Sequence, residues 1–284
     1  MSAPAGIVWL ASFPKSGNTW FRILLANLAT ADQGPADINN LDEGGGIASS
    51  RHEFEATTML DSGLLSHDDI DCLRPSVYRA VAAVTTEQRW IKVHDAYSLT
   101  SAGEPLLGGK IARAAIYLVR DPRDVAVSLA HHNSATIDEA ITLMNASDGA
   151  LCRSRKGLSE QLRQKLTGWS SHVTSWLDQT DVPVMPVRYE DLMIAATKHF
   201  AAALGFAQRF ASPEDIDRAV RHASFDELRR QEQERGFGER MSRIAPFFRS
   251  GQSGGWRETL TPMQRDKIEQ RHGAVMARLG YDPS

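Results

Sequence analysis

Apolar residues fall into short runs that alternate with helical spacings along the chain. Residues 7–10 form an apolar run, small and turn-forming residues follow, and from Thr19 apolar positions recur three and four residues apart. This order predicts a buried strand, a tight loop and a helix. Residues 114–119 and 182–187 have the length of buried parallel strands, and the alternation in 89–94 predicts another strand. Strands separated by helices predict an α/β fold with three layers, α/β/α, around a central, mainly parallel sheet.

Capping residues and composition mark the other segments. Ser66 followed by acidic residues predicts a helix start, and Pro75 predicts that a second short helix begins there and ends near Ala83. Further helices are predicted at residues 122–132, 137–145, 161–178, 191–204, 213–222, 224–234 and 262–279. Residues 32–63 are rich in Asp, Asn, Gly and Ser, which predicts a long irregular loop. Residues 235–255 mix glycine, arginine and a phenylalanine pair, which predicts a lid on a single domain spanning residues 1–284.

The loop after the first strand has the composition of an anion site. Residues 12–20 are Ser-Phe-Pro-Lys-Ser-Gly-Asn-Thr-Trp, so backbone N–H groups, the charge of Lys15 and a helix N-terminus converge there. The Walker A pattern fails twice, because Trp9 and Pro14 stand where it requires glycine. The sequence therefore predicts a P-loop-like phosphate-binding loop of another type. The alternative is an ordinary strand-to-helix turn with one exposed lysine.

Three residues whose side chains can bind anions or transfer protons follow predicted strands. Lys15, His94 and Arg120 each lie at or just past a strand end. Open parallel sheets bind ligands at the carboxyl ends of their strands, so one site is expected to gather all three. Lys92 lies two residues before His94 and is expected to face the same side, whereas Asp95 faces away.

Two segments carry a resemblance to a known family. Residues 12–20 resemble the 5'-phosphosulfate loop of sulfotransferases that use 3'-phosphoadenosine 5'-phosphosulfate (PAPS), and residues 117–128 are similar to their 3'-phosphate-binding segment. Residues 90–94 are similar to the family's strand with a Lys-x-His pattern, which implies that His94 is the general base and that Lys15 and Lys92 act at the transferring group. The resemblance implies these contacts to the nucleotide: Lys15, Ser16, Gly17, Asn18, Thr19, Trp20, Arg120 and Ser128.

Weaker matches add further nucleotide contacts. Tyr189 lies in a Tyr-Glu-Asp segment that in the family approaches adenine, and Phe225 lies in a triplet near the base in which Ala223 replaces threonine. Residues 248–256 resemble the segment that closes on the 3'-phosphate, which implies roles for Arg249, Ser250 and Gly251. Ser250 and Gly255 depart from the usual lysine and aspartate there.

The charged residues directly after Arg120 have a simpler interpretation. Asp121 and Asp124 are expected to be charges at a helix N-terminus, and Arg123 a solvated surface residue.

The resemblance implies transfer of a sulfuryl group from PAPS to a hydroxyl or an amine of a small-molecule or glycan acceptor. Adenosine 3',5'-bisphosphate (PAP) would be the product, and no metal is required by these residues. Two alternatives are an ATP-dependent P-loop kinase, with Asp121 as a magnesium ligand, and a non-catalytic PAP-binding protein. The second alternative would keep Lys15, Arg120 and Ser128 without needing His94.

Composition limits the partners and the compartment. The 284 residues are 42% hydrophobic and 24% charged, and a formal net charge of −3 gives no reason to expect a nucleic acid. Two cysteines, Cys72 and Cys152, fit a reducing compartment. The N-terminus lacks the features of a signal peptide, and no apolar run approaches the ~20 residues of a membrane span. These observations predict a nucleotide-binding transferase in the cytoplasm, and they leave a homo-oligomer open.

Overall fold

A central parallel sheet organises the molecule. The structure, a computed structural model, describes residues 3–30, 34–41, 46–154, 159–239, 246–249 and 251–282. Its strands are β1 (Gly6–Ser12), β2 (Gln88–Val93), β3 (Ala112–Val119), β4 (Ala150–Leu151), β5 (Gln164–Lys165) and β6 (Val184–Arg188). In this part of the chain, four strands pair in parallel in the order β2-β1-β3-β6, and β4 and β5 form a separate antiparallel pair. The predicted parallel sheet is confirmed.

Helices connect the strands and cover both faces of the sheet. They are α1 (Asn18–Ala29), α2 (Arg51–Thr58), α3 (His67–Val84), α4 (Pro122–Asn133), α5 (Ile137–Asn145), α6 (Trp169–Leu177), α7 (Tyr189–Ile194), α8 (Ala196–Phe206), α9 (Pro213–His222), α10 (Phe225–Arg235), α11 (Trp256–Thr259) and α12 (Pro262–Arg278). A short 3₁₀ helix occupies Ser62–Leu64. No helix among the described residues is both long enough and apolar enough to cross a membrane.

Alternate residues of β1 enter two different hydrophobic clusters, one on each face. Val8 packs in a buried cluster with Phe21 of α1 and Phe200 of α8. Its neighbour Trp9 packs on the other face in a cluster with Trp169 of α6 and residues of α12. Burying a large apolar side chain contributes about 1.5–3 kcal/mol, so both faces of β1 anchor it. The three-layer α/β/α prediction is confirmed.

Two predictions for the first third of the chain are wrong. Residues 51–58 of the predicted loop form α2, capped by Ser50, whose side chain accepts from the Glu53 N–H. The helix was missed because it buries only one residue, Phe54. Pro75 does not start a new helix but lies inside the continuous α3. An interior proline costs about 3 kcal/mol, and burial of one face of α3, including Tyr78, offsets that cost.

Two more predicted helices are interrupted. The helix predicted over residues 161–178 begins only at Trp169, because Gln164–Lys165 pairs with β4 and the Lys165 N–H donates to Asp95. The helix predicted over 191–204 is divided at Ala195, whose φ of −145° and ψ of 64° are not helical.

Much of the predicted lid can be located. Residues 240–245 and Ser250 lie outside the described residues. The rings of Phe237, Phe247 and Phe248 pack on one another with centroids 4.8 to 5.3 Å apart. The segment then enters the short helix α11, which the sequence pattern did not predict.

Candidate active site

The carboxyl ends of the four parallel strands open onto one large cavity. Its volume is about 1110 Å³. The residues after β1, β2, β3 and β6 all reach it, because parallel strands end at the same edge of a sheet. The predicted site residues that line it are Lys15, Gly17, Asn18, Thr19, Trp20, Lys92, His94, Arg120, Ser128, Tyr189, Phe225, Arg249 and Gly251. Ser16 is buried beside the cavity, and Ser250 lies outside the described residues.

The loop between β1 and α1 has an unusual backbone. Lys15 has φ +68° and Gly17 has φ +98°, both in the left-handed region. A Cβ atom on Gly17 would lie 2.7 Å from a ring atom of Tyr189, so only glycine fits there. No side chain caps the N-terminus of α1, and the buried Ser16 hydroxyl has no hydrogen-bond partner among the described residues. The loop therefore offers unpaired donors to an anion.

Two residues of this loop use their side chains to hold it in place. The Asn18 amide donates to the Leu10 carbonyl at 2.9 Å and to the Ser12 hydroxyl at 3.2 Å. The Trp20 indole N–H donates to the Ala223 carbonyl at 3.0 Å, and its ring packs on Tyr189 at 5.8 Å between centroids. These contacts fix the loop and an aromatic wall of the cavity.

The Lys15 ammonium contacts an aromatic ring and an imidazole, and the Glu239 charge offsets only part of the effect of its surroundings. Its ammonium is 4.0 Å from the centroid of the Phe247 ring and 3.5 Å from Nδ1 of His132. Burial, with the nearby charges of Lys92 and Arg120, lowers the pKa of Lys15 to about 7. An anionic ligand in the cavity would relieve this repulsion.

A carboxylate that sequence reasoning missed contacts the same cation-rich region. Glu239 accepts from the Lys92 ammonium at 3.3 Å and from the Thr19 hydroxyl at 3.2 Å, and it forms an ion pair with Arg22. Burial raises the pKa of Glu239, but the charges of Lys92 and Arg22 more than offset this and lower it to about 2. Glu239 is therefore ionised, and no local motif marked it.

His94 has a defined tautomer. Its Nδ1 lies 2.9 Å from the backbone carbonyl of Ser12. Because a carbonyl only accepts, Nδ1 carries the proton and Nε2 of the neutral ring keeps its lone pair. Burial and then the Lys92 charge lower the pKa of His94 to about 3, so the ring is neutral at physiological pH. Such a ring can accept a proton at Nε2.

Arg120 is held in the cavity through several contacts, one of them to the Lys15 carbonyl at 3.5 Å. Its guanidinium donates to the Gln252 carbonyl at 3.1 Å and lies 4.4 Å from the centroid of the Tyr189 ring. Its Nε is buried and has no partner within the described part of the chain. The guanidinium thus retains donor capacity, and Ser128 lines the same cavity.

One prediction about the neighbouring residues is wrong. Arg123 is not solvated but only 3% exposed, because it pairs with Asp121 and Glu269 and stacks 4.0 Å from the centroid of the Trp256 ring. Asp121 caps α4 as predicted. Asp124, in the first turn of α4, also accepts from the backbone N–H groups of Gly254 and Trp256, at 2.7 and 3.1 Å.

The described residues contain no group of three or more His, Cys, Asp or Glu side chains arranged to hold a metal ion.

Comparisons with known proteins agree with this architecture. Retinol dehydratase, solved in complex with androsterone and the inactive cofactor PAP, superposes with a TM-score of 0.61 at 22% identity and covers 95% of this chain and 80% of its own. Mouse sulfotransferase SULT7A1, solved with PAP, gives a TM-score of 0.58 at 18% identity and covers 96% and 85%. These likenesses define the fold.

Sequence comparisons identify the family. The model of the sulfotransferase domain matches residues 6–280. Human sulfotransferase 1E1 is 24% identical over 282 residues, 94% of this chain and 82% of that protein. Cytosolic sulfotransferase 17 of Arabidopsis thaliana is 23% identical over 276 residues, which cover 92% of this chain and 71% of that protein. The chain belongs to the sulfotransferase family and is an enzyme of that class, as the resemblance predicted.

Proposed function

We propose that this enzyme transfers the sulfuryl group of PAPS to a hydroxyl or an amine of a small-molecule or glycan acceptor, with His94 as general base. The observation that carries the proposal is that Lys15, His94 and Arg120 line the same cavity. The solved relatives with PAP and the sulfotransferase domain match support PAPS as the donor. A cytoplasmic location and a homo-oligomer stay predictions, as does the single domain over residues 1–284.

The chemistry of the cavity suits a nucleotide with a phosphate at each end. The Ser16 hydroxyl, which has no partner among the described residues, the uncapped N-terminus of α1 and the Lys15 charge fit the 5'-phosphosulfate end. The spare donor capacity of Arg120 and the Ser128 hydroxyl suit the 3'-phosphate. Trp20 and Phe225 line the cavity, and their faces suit a stacked adenine.

Proton transfer and charge stabilisation are assigned to different residues. The Nε2 atom of His94 would accept the proton of the acceptor hydroxyl. Lys15 and Lys92 would balance the negative charge that grows on the leaving phosphate. Holding acceptor and donor in line would supply much of the remaining rate.

A transfer assay with a matched pair of variants tests the assignment of the base. His94→Asn keeps a side-chain N–H near the Nδ1 position, where it can donate to Ser12, but removes Nε2. We expect transfer of labelled sulfate from PAPS into a metabolite extract to fall by about 10²–10⁴-fold, with PAP affinity within about twofold of wild type. His52→Ala, at an exposed histidine, is the control. Loss of PAP binding in His94→Asn would count against this role.

The same assay separates the enzyme from its alternatives. Label entering any acceptor excludes a protein that only binds PAP. Label that stays in PAPS, together with tight binding of PAP, would favour the non-catalytic PAP-binding protein. Dependence of activity on ATP and magnesium instead would favour a kinase.

A further inference from the structure

A fully buried histidine behind the cavity is bonded through both ring nitrogens. His172 of α6 and Tyr117 of β3 each have 0% exposure. Nε2 of His172 lies 3.0 Å from the backbone carbonyl of His94, and Nδ1 lies 2.8 Å from the Tyr117 hydroxyl. Burial lowers the pKa of His172 to about 4, so the ring is neutral.

The directions of these hydrogen bonds follow from the acceptor. The His94 carbonyl can only accept, so Nε2 of His172 carries the single ring proton. Nδ1 of His172 then has the lone pair, and the Tyr117 hydroxyl donates to it. Burial raises the pKa of Tyr117 well above its usual value, which keeps that hydroxyl protonated. Tyr117 therefore pairs the remaining nitrogen of the His172 tautomer that holds His94.

The pair also contacts the phosphate-binding loop. The ring of Phe13, two residues before Lys15, packs edge-on against the His172 ring with centroids 5.5 Å apart and an interplanar angle of 84°. The Ser12 carbonyl, one residue earlier, accepts from Nδ1 of His94. The contacts thus form a closed ring from the loop through His172 to His94 and back to the loop.

His94 needs such support because the sheet stops one residue before it. The last pair between β1 and β2 joins Ala11 and Val93. The backbone of Lys92 bonds Gly46 and Ala48 on the other edge of β2, and His94, two residues later, faces that same edge. The carbonyl of a residue just beyond a strand end still needs a partner, and the His172 side chain supplies it.

We propose that Tyr117 and His172 are positioning residues that keep the His94 imidazole at a fixed place beside the phosphate-binding loop, residues 12–20. The inference rests on the proposed function, in which His94 accepts the acceptor proton. Displacing a catalytic group by about 1 Å can lower the rate on the order of 10²-fold, so fixing the His94 backbone is expected to raise kcat.

Tyr117→Phe is the sharpest test, because it removes one hydroxyl and leaves the ring. Without the hydroxyl, Nδ1 of His172 loses its donor, and the ring is held only through Nε2 and the His94 carbonyl. We expect long-range ¹⁵N–¹H spectra of the PAP complex to show shifted His172 and His94 nitrogens. Transfer of labelled sulfate to an acceptor taken from the metabolite extract should show a kcat about tenfold lower. The dissociation constant for PAP should stay within about twofold of wild type.

Tyr97→Phe is the matched control. The Tyr97 hydroxyl donates to Asp181 at 2.7 Å, and both tyrosine rings pack on Trp176, at 5.4 Å for Tyr97 and 6.2 Å for Tyr117. This variant should also lose some thermal stability but keep the wild-type kcat and His94 spectrum. His172→Gln, which keeps a side-chain N–H that can reach the His94 carbonyl, should retain more activity than His172→Phe.

The outcomes separate this proposal from the proposed function. Wild-type spectra of His94 and His172, with equal kcat for Tyr117→Phe and Tyr97→Phe, would overturn the positioning role alone. Loss of folding in Tyr117→Phe would also overturn it if His172→Gln and His172→Phe, both folded, had equal kcat. A wild-type protein that neither binds PAP nor transfers sulfate to any acceptor would overturn the proposed function, whatever the spectra of the variants.

Discussion

At the residue scale, the lowered pKa of Lys15 predicts a pH-dependent affinity for PAP. The free protein holds the Lys15 proton below about pH 7, and a bound phosphate raises that pKa. Affinity should therefore be full near pH 7 and fall towards pH 9, by up to about tenfold per unit. Calorimetry in buffers of different ionisation enthalpy should show proton uptake at pH 8. Lys15→Arg, which does not titrate in this range, should flatten the dependence. Equal slopes in both proteins would contradict the assignment.

Removing the charge of Glu239 is predicted to raise the affinity for PAP, whereas removing the charge of Lys15 lowers it. Its carboxylate contacts Thr19 and Lys92, two of the groups assigned to the phosphosulfate end of the donor. The donor must compete with it, so Glu239→Gln should bind PAP about threefold to tenfold more tightly by calorimetry, in proportion to the removed charge competition. Glu258→Gln, at an exposed glutamate of α11, should leave the affinity unchanged. Weaker binding by Glu239→Gln would show that the carboxylate supports the donor site.

Residues that follow strand ends could be assigned to one site from the sequence, whereas their partners from distant segments could not. Lys15, His94 and Arg120 were predicted to converge because parallel strands share an edge. Glu239 lies 147 positions after Lys92, which it contacts, and nothing local marked it. His132 beside Lys15 was missed for the same reason. Local patterns predict which edge of the sheet a residue occupies, but not which remote charges meet it there.

At the element scale, two capped helices were predicted to the residue, the capped α2 was missed because it buries only Phe54, and segments fixed by remote contacts were not predicted. The bounds of α5 and α9 match the predicted helices, and side chains of Thr136 and Ser212 cap them. The predictions failed at Pro75, where burial of a helix face decides, and at residues 164–165, where pairing with β4 decides. Nucleation signals are local, but continuation and strand pairing depend on neighbours that only the fold supplies.

Asp124 predicts how α4 is joined to the C-terminal segment. Its buried carboxylate accepts from the backbone N–H groups of Gly254 and Trp256. Asp124→Asn should lower the free energy of unfolding by about 1–3 kcal/mol, because the backbone N–H groups lose a charged acceptor. Denaturant titration measures the change. Glu214→Gln, in the exposed first turn of α9, should lose less than about 1 kcal/mol. Equal losses would mean that Asp124 acts only on the helix dipole.

At the scale of the whole molecule, layer order and sheet direction followed from the alternation of strands and helices, but strand order did not. The order β2-β1-β3-β6 places β1 between the strands that lead to His94 and Arg120. The loop after β1 therefore lies between the residue proposed as proton acceptor and the residue proposed to bind the 3'-phosphate. Under the proposed function, this arrangement would let one nucleotide be held at both ends, which no single motif predicts.

Holding both ends predicts a strict ranking of nucleotides. PAP should stabilise the protein without magnesium, by about 2.7 kcal/mol at 100 times its dissociation constant. Adenosine 5'-monophosphate lacks the phosphate assigned to Arg120, and adenosine 3'-monophosphate lacks the one assigned to the Lys15 loop, so each should give a smaller thermal shift at equal concentration. Arg120→Ala should reduce the shift with PAP to that with the 5'-monophosphate while leaving the latter unchanged. ATP with magnesium should not match PAP, because a Walker A loop is absent. If either monophosphate equalled PAP, one end of the nucleotide would be free, and the cavity would hold a different ligand from the one proposed.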